Sequence, residues 1–202
     1  MARAGDDDLL VEFTVQLMEI DEDQPAERLV HEINGTIRLM DSEGEGHPIG
    51  TLTAYLFNIA ALMEEGIHLL TPYDMREQHL ADTVNRIFDF EEYEFNSTVL
   101  KKVGFDDSGS IEWHLHAFNL YLHPAHRGQG RGARALRLLR EFAQRSGLLV
   151  TARAFPQELR ERERPTGQAI AGLARYYLSA EGLGFRQLGR IDQGWLIANW
   201  SM

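Results

Sequence analysis

The chain has 202 residues, 44% of them apolar and none of them cysteine; that is enough for a packed core and excludes disulfides, thiolate catalysis and cysteine zinc sites. Its formal charge of −11 is uneven, −17 over residues 1–110 and +6 over 111–202, so the whole molecule repels polyanions and nucleic-acid binding is not expected. No apolar run approaches the roughly 18 to 20 residues of a bilayer-spanning helix, and the opening Met-Ala-Arg-Ala-Gly-Asp-Asp-Asp has no hydrophobic signal region, which points to a cytoplasmic protein with no membrane partner.

Residues 1–7 read as a loose tail. Residues 9–20 alternate, with Val11, Phe13, Val15 and Leu17 on one side, and predict a first strand; 21–24 are an acidic loop. Residues 32–40 and 49–57 alternate on either side of the turn 41–48, which predicts a hairpin. Residues 58–65 predict a short helix, and 73–90 a longer one that places Met75, Leu80, Val84, Ile87 and Phe88 on one face with Pro72 near its start. Residues 91–102 fit no single pattern, and 105–110 are a loop. In one domain spanning 1–202, the stretch 58–110 is then a helical insertion. It is open to two uses: a substrate-binding wall, or packing, including contact across a homodimer.

The stretch Leu120-Tyr-Leu-His-Pro-Ala-His-Arg-Gly-Gln-Gly-Arg-Gly-Ala133 follows an aliphatic and aromatic strand over 111–122 that Pro124 ends. After it, Ala135, Leu138, Leu139 and Phe142 recur at helical spacing with Arg134, Arg137, Glu141 and Arg145 opposite, Glu141 and Arg145 at pairing distance, and Gly147 at the expected C-terminal position. Three glycines in five residues bare consecutive backbone N–H groups where a helix begins, the anatomy of a phosphate cradle. The absence of Gly-Lys-Ser/Thr excludes a triphosphate loop. Gly128, Gly130 and Ala133 satisfy a loose dinucleotide fingerprint, but the next strand, 148–155, carries Arg153 and no acid. An NADP-dependent oxidoreductase therefore stays only as an alternative.

The order strand, His-Pro, Arg127-x-x-Gly130-x-Gly132, amphipathic helix resembles the acyl-CoA pyrophosphate loop of the GNAT superfamily of N-acyltransferases. The segment from Thr166 to Arg186, with Tyr176-Tyr177 and a later Gly184-Phe185, resembles that family's late helix and the strand after it. The likeness implies an α+β fold, a mixed, mostly antiparallel sheet flanked by helices, and acetyl-CoA or another acyl-CoA as cosubstrate. It also implies that Arg127, Gly128, Gln129, Gly130, Arg131 and Gly132 hold the pyrophosphate and that the strand edge at Leu120 and Leu122 holds the pantetheine arm. Tyr177 matches the family's proton donor to the leaving thiolate, with Tyr176 left open beside it. Period-two geometry puts Glu112, His114 and His116 on one strand face. Of these His116 most nearly matches the family's general base, and an ordinary imidazole pKa of about 6.5 suits that work; a hydrogen-bonded structural histidine is the alternative.

The same histidines, with Glu112, His123 and His126 near, raise a metal site, but His-x-His alone is too weak a signal and none is expected. Residues 156–165 read as a charged loop, Thr166 as the N-cap of a helix to 180, and 185–191 with 195–200 as a closing hairpin that buries Trp195 and Trp200. The activity expected is direct transfer of an acetyl or short acyl group from acyl-CoA to the primary amine of a small molecule or peptide. The alternatives are a non-catalytic acyl-CoA-binding module and the NADP enzyme.

Overall fold

In the computed structural model, which describes residues 9–17, 26–74, 78–156 and 165–202, the alternating runs of the N-terminal half become three antiparallel strands. These are β1 (Leu9–Leu17), β2 (Val30–Met40) and β3 (Gly46–Asn58). Ile33, Ile37, Leu52, Ala54 and Leu56 all turn to one buried face, and that shared face fixes the register, because a one-residue slip would send each to the other side. The hairpin turn tightens on Asp41, whose Oδ1 accepts from the amides of Glu43 and Glu45 at 2.9 Å each.

The later strands complete one sheet. β6 (Trp113–Leu122) runs antiparallel to β3 and parallel to β7 (Leu148–Arg153), followed by β9 (Trp195–Asn199) and the short β8 (Arg186–Gln187). The seven strands lie in the order β1-β2-β3-β6-β7-β9-β8, with β6–β7 their one parallel pair. This is the mixed, mostly antiparallel sheet that the sequence predicts. Helices α5 (Arg131–Ala143) and α6 (Gly167–Ser179) cover one face, burying Ala135, Leu136, Leu139 and Ala174 against Leu115, Val150 and Leu196. Thr166 caps α6, its hydroxyl accepting from the Ala169 N–H at 3.2 Å. Trp195 and Trp200 are buried, as expected.

The second face is covered by the segment 58–110. It comprises α1 (Ile59–Glu64), α2 (Leu70–Asp74), α3 (Gln78–Ile87), a two-residue hairpin of β4 (Phe88–Asp89) and β5 (Glu94–Phe95), and α4 (Ser97–Val103). Tyr73, Leu80, Ile87 and Phe95 pack there on Phe57, Leu149 and Ile197. The continuous helix expected over 73–90 is thus two helices, with Pro72 inside the first turn of α2, where its missing N–H costs nothing. Phe88 leaves the helix for β4, and Met75 lies outside the described residues, as do the tail 1–7, the loop 21–24 and most of 156–165.

Helix α5 also ends earlier than Gly147. Gln144 leaves the helical conformation (φ −53°, ψ 126°), and Arg145 lies over the Trp113 ring at 4.7 Å instead of facing Glu141. Phe142, expected in the core, is 43% exposed and stacks on Phe13. Gly147 (φ +61°) accepts at its carbonyl from the amides of Glu112 and Trp113, and a Cβ there would lie 2.7 Å from Glu112 N. It clamps the start of β6 to the start of β7.

Candidate active site in the splayed sheet

β6 and β7 pair from Trp113↔Leu148 to Ala117↔Ala152 and then part. On its other side β6 stays with β3 but gains a residue: Thr53 pairs with Asn119 and Ala54 with Ala117, so Phe118 is a β-bulge. A bulge bends its strand and increases the local twist, and here it coincides with the parting. Among the described residues, 118–122 keep a partner strand on one side only. The gap opens into a cavity of about 360 Å³ lined by Leu120, Leu122, the glycine turn, Phe155, Tyr176 and Tyr177. A smaller one of about 40 Å³, bounded by Asn119, Arg153 and Tyr177 among others, lies beside it.

At the outer end, Gly128 (φ +71°) and Gly130 (φ +77°) take left-handed backbone that other residues adopt only with strain. Gly130 is the N-cap of α5 and offers no side chain, which leaves the opening amides of the helix, apart from that of Ala133, for a ligand. Gly132 sits inside the first turn; a Cβ there would lie 3.5 Å from Leu120 and 3.8 Å from Leu122. Arg127 donates through Nε to the Leu122 carbonyl at 2.7 Å and lies over the Tyr121 ring. Arg131 approaches His126 Nδ1 at 3.1 Å. Gln129 is exposed on the turn. The turn, Leu120 and Leu122 are therefore brought together as expected.

The structure separates the two tyrosines. Tyr176, 37% exposed, sits at the helix end, its hydroxyl accepting from the Ala133 N–H at 3.3 Å. Tyr177 lines both cavities, and burial, with a smaller contribution from Tyr176, pushes its phenol well above the usual range. It keeps its proton at any physiological pH.

A family model for the GNAT acetyltransferases matches residues 7–161. The chain belongs to the GNAT acetyltransferase family. Membership brings acyltransferase activity in general, with acetyl-CoA the cosubstrate used across the family. The match runs from β1 through β7 and includes the glycine turn, but stops before α6. No match was found among curated proteins.

On the sheet face away from α5, the GNAT chain carries a buried polar chain. Tyr73 Oη lies 2.6 Å from His114 Nδ1, His114 Nε2 lies 2.7 Å from Thr151 Oγ1, and His116 Nδ1 lies 2.9 Å from the same oxygen. Burial pushes Tyr73 up, so it keeps its proton, and His114 is the acceptor within reach. A neutral His114 that accepts at Nδ1 donates from Nε2 to Thr151, and His116 Nδ1 shares the same hydroxyl oxygen. Glu112, in contrast, precedes β6, is exposed, and accepts from Ser146 at 3.2 Å at the end of the strand away from the splay. Period two unites the two histidines and leaves Glu112 out. Among the described residues no group of three His, Asp or Glu side chains is placed to hold a metal.

Sequence reasoning missed Tyr73 and Thr151. Thr151 was readable as a polar residue in an apolar strand; Tyr73 had no signal, because nothing local says where α2 will dock.

Burial lowers the pKa of His114 from 6.5 to about 3. The unfolded chain therefore binds a proton between those values that the folded chain refuses, and stability falls as pH drops through that window. From pH 7 to pH 5 this one group should remove about 2 kcal/mol of unfolding free energy. Urea titrations at the two pH values should show that loss, with a correspondingly shallower pH slope in His114→Gln.

Proposed function

We propose that this protein transfers an acetyl or short acyl group from acyl-CoA directly to a primary amine. What carries the reading is one arrangement: a bulge-splayed strand, an uncapped helix N-terminus and a proton-bearing tyrosine line a single cleft. CoA supplies the activated thioester. The amides at the start of α5, with Arg127 and Arg131, would take its phosphates, and the backbone of 118–122 would take the pantetheine amides.

The amine nitrogen attacks the thioester carbonyl, the C–N bond forms, and the C–S bond breaks as Tyr177 gives its proton to the sulfur. The surplus proton of the amine leaves to solvent, from which Tyr177 is recharged. Holding the two reactants in one cleft supplies much of the rate. His116 is fully buried and held by the Thr151 hydroxyl on the sheet face away from α5, so its role is structural in this mechanism. The amine then reacts from its neutral fraction, and kcat/KM should climb with unit slope from pH 6 toward an amine pKa of about 10. An inflection between pH 5 and 8 that disappears in His116→Gln would restore the histidine as base.

A doubly wound NADP fold needs a run of parallel strands, and here one pair is parallel. Calorimetry with acetyl-CoA, and NADP as control, tests the reading. Binding of acetyl-CoA alone, followed by CoA release in the presence of primary amines, is expected. Absence of acetyl-CoA binding would overturn the reading, and binding without turnover on any amine would leave a non-catalytic module.

A further inference from the structure

We infer that the acceptor is an amine bearing a second cationic group, and that it lies along a polar row on the uncovered part of the sheet face opposite α5 and α6. The inference rests on the acyl-transfer reading for the chemistry of its first nitrogen. The bulge at Phe118 turns Asn119 onto that face, opposite Thr53, and Thr53 is opposite Asn34 on β2. The row thus runs from the splay toward the sheet edge. The Thr53 hydroxyl donates to Asn34 Oδ1 at 3.1 Å, and the Asn34 amide donates to Glu32 Oε1 at 2.9 Å.

Those two bonds consume donors and leave acceptors facing the row. Asn119 Oδ1 is buried beside the inner cavity and has no hydrogen-bond partner among the described residues, which costs about 1 to 3 kcal/mol unless a ligand donates to it. Glu32 ends the row with a carboxylate. Arg38, on the same strand face, is taken by Glu12 at 2.6 Å and by the Gly46 carbonyl at 3.0 Å. Among the described residues no lysine or arginine pairs with Glu32.

A neutral acceptor at the splay suits the reacting amine in its uncharged form, and a carboxylate suits an ammonium. The two ends lie about two strand spacings across the sheet and two residues along β2, roughly 12 Å. That is the span of an extended diamine or polyamine. The net charge of −17 on residues 1–110 adds long-range attraction for such a cation.

The probes are hexamethylenediamine and hexylamine, which share a chain and differ by the second nitrogen. With acetyl-CoA, kcat/KM for the diamine should exceed that for the monoamine by about tenfold or more, and Glu32→Gln should collapse that ratio toward one. Glu43→Gln, the same charge change on the β2–β3 turn, should leave the ratio intact. Equal kcat/KM for the two amines in the unaltered protein, or a ratio untouched by Glu32→Gln, would overturn the inference while leaving acyl transfer standing. Calorimetric titration of hexamethylenediamine into the protein alone reads the row without turnover. Binding that weakens about tenfold in Glu32→Gln would uphold the row even if acetyl-CoA failed to bind.

Discussion

Tyr177→Phe should lower kcat by about 10²- to 10³-fold while acetyl-CoA affinity stays within about twofold. The thiolate leaving from CoA must be neutralised as it forms, and Tyr177 is the phenol lining both cavities of the cleft. Its raised pKa does not disqualify it as a donor. The same burial that disfavours phenolate disfavours the thiolate, so both pKa values rise together and the gap between them stays small. Phenylalanine keeps the ring that packs against the core and removes only the proton. Tyr176→Phe is the contrast. Its hydroxyl meets the Ala133 amide at the phosphate end, so that change should act on KM. Measured kcat and KM for both variants, with calorimetric Kd, decide the assignment. Equal kcat losses would share the role between them, and no loss in either would remove the tyrosine donor from the mechanism.

The fold was legible where a pattern reports one face of one element. The alternation in β2 and β3 and the Thr166 cap of α6 are local statements that match the structure, and the helical spacing in α5 matches it at Ala135 and Leu139 but not at Phe142. The stretch 73–90 shows why periodicity misleads: Tyr73 of α2 and Leu80, Val84 and Ile87 of α3 bury in the same cluster, and Phe88, which continues the apolar spacing, belongs to β4. Apolar spacing registers which side faces the core and not whether the chain is continuous.

The site divides in the same way. Its glycine turn was legible because left-handed backbone leaves few residue choices. The bulge at Phe118 is a register event with no compositional mark, and it changes what period two implies beyond it. Counting by twos from His116 puts Phe118, Leu120 and Leu122 on the histidine face. The bulge instead sends Leu120 and Leu122 toward the helices and delivers Asn119 and Tyr121 to the histidine side. The polar row over Thr53 and Asn34 follows from that one residue. No reading of the strand alone would have aligned it.

Gly132→Leu should weaken acetyl-CoA binding by about 10²-fold or more, roughly 2.7 kcal/mol, without lowering stability. The two effects separate because of where the glycine sits. It lies in the first turn of α5 with helical backbone, and a Cβ would meet Leu120 at 3.5 Å and Leu122 at 3.8 Å, ordinary contact. Alanine should therefore be tolerated by fold and ligand alike. Leucine carries three more carbons past that Cβ into the cavity wall, over the amides that the phosphates need. Leaving glycine inside a helix favours the folded state by up to about 1 kcal/mol, so the melting temperature should hold or rise as binding fails. Gly130→Val removes binding by another route: its φ of +77° strains any β-branched residue, so stability and affinity should fall together. Calorimetry beside thermal unfolding on the three variants distinguishes a blocked cleft from a broken turn. Unchanged acetyl-CoA affinity in Gly132→Leu would mean that CoA does not pass the start of α5, and the assignment of this cleft would fail with it.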